Sequence, residues 1–237
     1  MHEYYKKNQK KLVKQMKKIL GPVKADIEDV TGVDGNYFLK KVENVYVNQY
    51  LQYLPYIGGS KNSGTMNLTH PAFLAAMYDY GRRYGMTVYE AGEISAKAFD
   101  IYYDSFPKFL LSAISKLLYS DLSQKILKKI IDRKKIFADK YPYAWLSEYQ
   151  EPDREYSHRF IIHRCGIYEF LKDRDIAEFI PYICNLDYIM FGKLGIPLRR
   201  NKTISCGDES CDFLFAREGE VADAWPPPFL DPDNDLK

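Results

Sequence analysis

The side chains best suited to chemistry are concentrated in the last third of the chain. All four cysteines lie there, and two of the four histidines lie within it or just before it. These residues are His158, His163, Cys165, Cys184, Cys206 and Cys211. Thiolates and imidazoles are nucleophiles, bases and metal ligands, so the cluster allows either nucleophilic catalysis or metal binding.

The cysteine spacing does not favour a metal site. Eighteen residues separate Cys165 from Cys184, and four separate Cys206 from Cys211. A zinc ribbon or finger needs two short, paired spacings. We therefore assign no metal ligand from the sequence.

A thiolate requires a neighbouring base or a helix N-terminus. The segment from Tyr156 to Cys165 has a β-rich centre, and alternation along a strand places Ile161, His163 and Cys165 on one face. His163 could therefore activate Cys165. The structural alternative is a packed cysteine, because free cysteine is among the most buried residue types.

Asp187 is the acidic member of the cluster. It lies three residues after Cys184, which places both on one face of a helix. Cys211 begins a strand that should lie beside that helix. We therefore predict that Cys165, Cys184 and Cys211 converge, with His163, Cys165, Cys184 and Asp187 as catalytic candidates. Cys206, in a hairpin loop, is expected to lie outside the cluster.

The elements that position these residues form a small α+β unit. Strands are predicted near 144–150, 156–165, 198–205 and 211–217, with one helix, or two separated by a kink at Pro181, running to about Lys193. The order is β-β-α-β-β, an antiparallel sheet with a covering helix.

The preceding sequence predicts helices only. Apolar periodicity and capping signals place them near residues 3–20, 23–54 with a turn at 31–35, 70–84, 87–103, 106–119 and 121–138. Thr87 and Glu90 form a capping box. The Gly- and Ser-rich segment 56–69 is interpreted as a loop, with Thr69 as the N-cap of the next helix.

Three regions follow from this pattern. Residues 1–138 are helical, residues 139–217 carry the cysteines, and residues 218–237 form an acidic, proline-rich tail, all expected within one compact domain. Trp225 and Phe229 are candidate anchors for the tail.

Composition narrows the function classes. The net charge of +2 gives no general attraction to nucleic acid or membranes. No apolar run has the length of a membrane helix and the N-terminus is polar, so we expect a cytoplasmic protein with free thiols. A small-molecule substrate is the expected partner. The cofactor is unknown, and an oligomer is compatible with the sequence.

Four short motifs resemble the L-2-amino-thiazoline-4-carboxylic acid hydrolase family. They are Arg164-Cys165, Ile183-Cys184-Asn-Leu-Asp187-Tyr, the hairpin Gly207-Asp-Glu-Ser-Cys211-Asp-Phe213-Leu-Phe215, and Gly85-Met-Thr87-Val-Tyr-Glu90-Ala91 with Thr87 in the family's serine position. The similarity spans residues 70–217. The closing hairpin is also similar, more faintly, to 4-vinyl-reductase domains.

The resemblance implies an α+β hydrolase that opens a cyclic amidine at a C–N bond other than a peptide bond. In that light Asp187 would bind the amidinium, while Arg164, Arg200 and Cys211 would contact the rest of the substrate. Whether a thiolate or a metal-bound water attacks is left open by the resemblance.

A second function class fits the same residues. A non-catalytic small-molecule-binding or sensor domain could use a cysteine-lined pocket, with or without a metal. An enzyme should hold an acid or base within hydrogen-bond reach of a cysteine that faces the pocket. A binding domain should show buried, inert thiols.

Overall fold

A computed structural model describes residues 1–118 and 120–230, without the side chains of Asp121 and Phe229. Its first part is helical, as predicted, and no strand occurs there within the described residues. The seven helices described are α1 Glu3–Leu20, α2 Lys24–Thr31, α3 Gly35–Val45, α4 Gly64–Gly81, α5 Val88–Asp104, α6 Lys108–Leu118 and α7 Asp121–Lys140. A π-helical turn, Tyr46–Leu51, extends α3. The capping box at the start of α5 is confirmed, with Thr87 and Glu90 each bonding the other's backbone N–H.

Helix α4 begins earlier than the sequence indicates. It starts at Gly64, so Thr69 is not its N-cap and Pro71 lies inside the helix. The buried Asn62 side chain accepts from the Gly64 N–H (3.0 Å) and donates to the Ile57 carbonyl (2.7 Å). These bonds fix the preceding loop and supply one of the partners that a helix N-terminus needs.

The second part is a four-stranded antiparallel sheet. Its strands are β1 Leu146–Gln150, β2 Tyr156–Arg164, β3 Leu198–Arg199 and β4 Cys211–Ala216, in the spatial order β1-β2-β4-β3. The helices between β2 and β3 are α8 Gly166–Leu171, α9 Ile180–Cys184 and α10 Leu186–Lys193. The α+β class and the β-β-α-β-β order are confirmed. The prediction of one helix, or of two with a kink at Pro181, was wrong, because three short helices lie between β2 and β3.

Strand β3 is much shorter than the predicted 198–205. The Asp212 carboxylate accepts from the N–H groups of Asn201 and Lys202, both at 2.8 Å, and Asp208 accepts from Thr203 (2.7 Å). Side chains thus satisfy backbone donors that a longer strand would have used in the sheet. The chain between β3 and β4 is therefore a structured loop with a 3₁₀ turn, Ile204–Cys206.

Aromatic rings join the sheet to the helices that cover it. In the β2–β4 register Phe160 faces Phe213 and Ile162 faces Cys211. The rings of Phe160 and Phe213 stack 4.7 Å apart, and Phe191 from α10 meets Phe215 at 4.7 Å. Cys211 therefore lies on the covered face of the sheet.

The chain after residue 217 returns over the helices. Trp225 packs against Tyr89 and Tyr182, with ring centroids 5.2 and 6.0 Å away, which confirms its expected role as an anchor. The Phe229 side chain and residues 231–237, also assigned to the tail, lie outside the described residues. Among the helices that the structure describes, none combines the length and apolar character needed to cross a bilayer.

Gly166 makes the turn from β2 into α8 possible. A Cβ at this position would lie 2.9 Å from the Trp145 ring and would meet the Tyr143 carbonyl. By contrast, a Cβ on Gly192 in α10 would meet only Val221, at 3.5 Å. The start of α8, which carries Cys165, is therefore held tightly against the segment that leads into β1.

We expect Gly166→Ala to destabilise the fold by about 1–3 kcal/mol, because overpacking forces the Trp145 ring or the backbone to move. Gly192→Ala is the matched control and should be neutral or slightly stabilising, since alanine favours helices. Urea unfolding followed by circular dichroism measures both. Equal effects of the two substitutions would contradict the close packing at Gly166.

Candidate active site

A buried ion pair lies at the centre of the cysteine-containing region. Arg200 follows β3 and Asp187 lies in the first turn of α10. Arg200 Nη1 is 3.2 Å from Asp187 Oδ2 and 3.4 Å from the Cys184 carbonyl oxygen. Its guanidinium also lies over the Phe213 ring, 4.5 Å from the centroid. A cation with 1% of its side chain exposed needs such partners, because an unpaired buried charge is costly.

Asp187 combines deep burial with partial access. Burial raises its pKa to about 6, although the positive charge of Arg200 acts in the opposite direction. Yet 36% of its side-chain surface is accessible. The carboxylate is therefore surrounded closely enough by protein to raise its pKa, while part of the side chain still reaches solvent. Tyr103 of α5 lies close by, since the Asp187 charge adds to the effect of burial in raising the tyrosine pKa.

Three thiols lie near this pair. Cys184 ends α9 and its Sγ is 3.4 Å from Ser205 Oγ, while Cys211 begins β4 and its Sγ accepts from the Ile204 N–H at 3.2 Å. Cys165 precedes α8 and lies near enough to affect the pKa of Cys184. The end of α9, the start of β4 and the residue before α8 therefore lie in one region, and a shared functional site for the three cysteines stays a prediction.

The three thiols are protonated at neutral pH. Burial raises the pKa of Cys165 to about 11 and also raises the pKa values of Cys184 and Cys211. The Arg200 charge opposes the increase at Cys184 and Cys211 without reversing it. No histidine is hydrogen-bonded to any of the three in the described part of the chain.

His163 contacts Glu148 rather than a thiol, so its predicted role as the base that activates Cys165 is supported by no contact in the described residues. The His163 Nε2 lies 2.9 Å from Glu148 Oε2 of β1, and 43% of the side chain is exposed. Strand β2 ends at Arg164, and the chain then turns into α8. Cys165 keeps an extended backbone but is the residue that precedes α8, and its thiol is enclosed by protein whereas the His163 side chain is exposed.

Arg164 has a structural position instead of the expected substrate contact. Its Nε donates to the Ala144 carbonyl at 3.0 Å and its Nη2 to the Ala138 carbonyl at 2.6 Å. These bonds join the end of α7 to the entry of β1. Of the two arginines expected to bind substrate, only Arg200 lies at the site.

Sequence reasoning missed Ser205 and Tyr103. Ser205 lies in the 3₁₀ turn before Cys206, and Tyr103 lies in the last turn of α5. Tyr103 could have been suspected as a tyrosine near the end of an amphipathic helix, whereas no local signal distinguishes Ser205. No group of three or more histidine, cysteine or acidic side chains in the described residues is arranged to hold a metal ion.

Comparison with known proteins identifies the family. A model of the family described as L-2-amino-thiazoline-4-carboxylic acid hydrolase matches residues 69–215, more than half of the chain. The chain belongs to this family. The match includes most of α4, all of α5, the four cysteines, Asp187 and Arg200, and it confirms the resemblance carried by the short motifs. No curated protein and no solved structure matches the chain significantly.

Among the cysteines of this family member, only Cys206 is exposed. We expect one thiol to react rapidly with Ellman's reagent in the native protein and four to react after unfolding. Cys206→Ser should remove the rapid phase and change the free energy of unfolding by less than about 0.5 kcal/mol. Rapid reaction of a second thiol, or a large loss of stability in Cys206→Ser, would contradict this arrangement.

Proposed function

We propose that this protein hydrolyses a C–N bond in a cyclic amidine that also carries a carboxylate. The observation that supports this most directly is the Asp187 carboxylate, which is paired with Arg200 and remains partly accessible. Membership of the hydrolase family supports the general class of reaction. The cyclic amidine itself is part of the proposal.

The charges of the ion pair match such a substrate. An amidinium presents two N–H donors to a carboxylate, and a carboxylate accepts a forked pair of bonds from a guanidinium. A zwitterion with both groups could therefore separate Asp187 from Arg200 and compensate both buried charges. A ligand with only one of the two groups would leave one charge without a partner.

Asp187 is also suited to move protons. A general base works best when its pKa lies near the working pH, and burial brings the pKa of Asp187 to about 6. In the proposed reaction water adds to the amidinium carbon and Asp187 accepts a proton from it. The bond from that carbon to the ring nitrogen then breaks, and the nitrogen leaves as an amine. This amine receives both water protons, the first through Asp187, so that the carboxylate is regenerated.

The thiols have a different part in this proposal from the one the sequence suggested. A nucleophilic thiolate at Cys165 or Cys184 would require a large drop in pKa, and burial raises both values. His163, the expected activating base, is bound to Glu148. We therefore assign Cys165, Cys184 and Cys211 to the walls of the site as uncharged side chains.

A second function is favoured by one specific observation. Thiols that stay protonated because their protein surroundings raise the pKa are the property expected of a ligand-binding or sensor domain with a cysteine-lined pocket. In that case Asp187 and Arg200 would bind the same zwitterionic class of ligand without turnover. The two functions differ only in whether the bound ring opens.

The proposed hydrolysis can be tested with 2-amino-thiazoline-4-carboxylate, with ring opening followed by mass spectrometry. We expect Asp187→Asn to lower kcat/KM by about 100-fold or more, because the general base is lost. Asp104→Asn, on the neighbouring exposed turn of α5, is the matched control and should retain activity. The Cys165→Ala and Cys184→Ala variants should each retain at least about a tenth of the kcat/KM of the unsubstituted protein. Inactivity of a folded Cys184→Ala protein would indicate thiolate attack instead.

The pH dependence gives an independent test. The base must be ionised, so kcat/KM should increase about tenfold per pH unit below the Asp187 pKa of about 6 and level off above it. A rate that falls as pH rises through 6 would contradict a base with this pKa. Asp187-dependent binding without ring opening would assign the protein to the ligand-binding class.

A further inference from the structure

Helices α6 and α7 form a hairpin that leaves many apolar side chains uncovered. None of the eleven residues of α6, all of which the structure describes, is buried. Phe109 is 78% exposed, and Leu110, Ile114 and Leu117 are exposed to a lesser extent. Exposed apolar side chains that are gathered on one surface mark an interaction site, because covering them removes apolar area from water.

One face of α7 combines apolar and basic side chains. Its members are spaced four, three, four and three residues apart, and all are exposed: Leu122, Ile126, Lys129, Arg133 and Ile136. This spacing places them in one stripe along the helix. Ile131 lies nine residues after Leu122, about two and a half helical turns, and is 5% exposed. The stripe therefore faces away from the buried side of α7, which packs against β1.

The exposed residues of the two helices adjoin. Leu117 of α6 lines the same open groove as Ile126 and Ile130 of α7, and all three are exposed. The exposed apolar residues of α6 and the stripe of α7 therefore form one continuous surface, which we call the hairpin surface.

The hairpin also concentrates positive charge. Residues 108–140 contain nine lysine and arginine residues and three aspartates, a net charge of +6, whereas the other 204 residues contain 25 basic and 29 acidic residues, a net charge of −4. The small net charge of the whole chain thus conceals one strongly basic segment. Such a segment attracts an anionic surface within about 8 Å, the Debye length at physiological salt.

The position of the cations decides which partner fits the hairpin surface. Lys129 and Arg133 lie on the outer stripe, whereas the described lining of the groove between α6 and α7 contains no lysine or arginine. An acidic helix seated in that groove would therefore not meet the cations. A second copy of the same surface is disfavoured, because contact would bring together two segments that each carry a net charge of +6.

A bilayer that contains anionic lipids satisfies both properties of the hairpin surface. Its headgroups attract lysine and arginine, and the boundary between headgroups and acyl chains takes up aromatic and aliphatic side chains. Nucleic acid would pair with the cations through its phosphates but would leave Phe109 and Leu122 uncovered.

We propose that the hairpin surface docks this protein on an anionic membrane surface. In this arrangement α6 and α7 lie in the plane of the interface, with Phe109 and Leu122 at the acyl boundary and Lys129 and Arg133 among the headgroups. Docking of this kind needs no helix that spans the bilayer. It is also independent of the chemistry at Asp187, which lies on a different helix.

The electrostatic part of the docking can be tested by cosedimentation of the full chain with vesicles. Vesicles with about one third phosphatidylglycerol should bind at least about tenfold more tightly than vesicles of phosphatidylcholine alone. The double variant Lys129→Gln/Arg133→Gln should weaken this binding about 25-fold, because each basic side chain near such a surface contributes about fivefold. Lys6→Gln/Lys10→Gln on α1 is the matched control, since both lysines are exposed, have the same spacing and lower the net charge equally. It should bind within about threefold of the unsubstituted protein.

The apolar part of the docking has its own variant. Phe109→Ser should weaken binding to the anionic vesicles about tenfold or more, because an aromatic side chain is returned to water. Its 78% exposure means that the fold does not depend on it, and circular dichroism checks that the helices are kept. Tyr53→Ser, at a side chain that is 68% exposed and lies outside the hairpin, is the matched control and should bind like the unsubstituted protein.

Equal binding to the two kinds of vesicle, an equal loss in the α1 variant, or no binding at all would overturn the proposal. So would self-association in analytical ultracentrifugation that Phe109→Ser abolishes, because the hairpin surface would then hold a second copy of the chain.

Discussion

The Arg200–Asp187 pair is the interaction around which the rest of this region is arranged. Placing a guanidinium in the interior costs several kcal/mol unless charge and hydrogen-bonding partners surround it. Asp187, the Cys184 carbonyl and the Phe213 ring supply them. Each comes from a different element, so the ends of α9 and β3, the start of α10 and the face of β4 must meet at one point.

The surrounding elements are shaped by that requirement. The loop after β3 takes its hydrogen bonds from Asp208 and Asp212, so the chain leaves the sheet next to Arg200, whose side chain is buried. Gly166 allows the close approach that brings Cys165 to the same point. The thiols then fill space around the pair with little cost, since a protonated cysteine packs as a small hydrophobe.

Burial raises the pKa of both the thiols and Asp187, but the chemical consequence differs between them. Burial raises the pKa of the thiols, which removes them from nucleophilic chemistry at neutral pH. It raises the pKa of Asp187 only to about 6, which leaves the carboxylate ionised at pH 7 and still able to accept a proton. Asp187, rather than one of the cysteines, is therefore the reactive side chain of the proposed mechanism.

The sequence by itself determined the helical first part, the capping box at Thr87 and the β-β-α-β-β order. These features depend on local periodicity and on neighbouring elements in the chain. Tertiary structure decided that His163 bonds Glu148, that Arg164 joins α7 to β1, and that Arg200 pairs with Asp187. No local pattern encodes these outcomes, because each depends on which distant partner satisfies a charge or hydrogen bond once water is excluded.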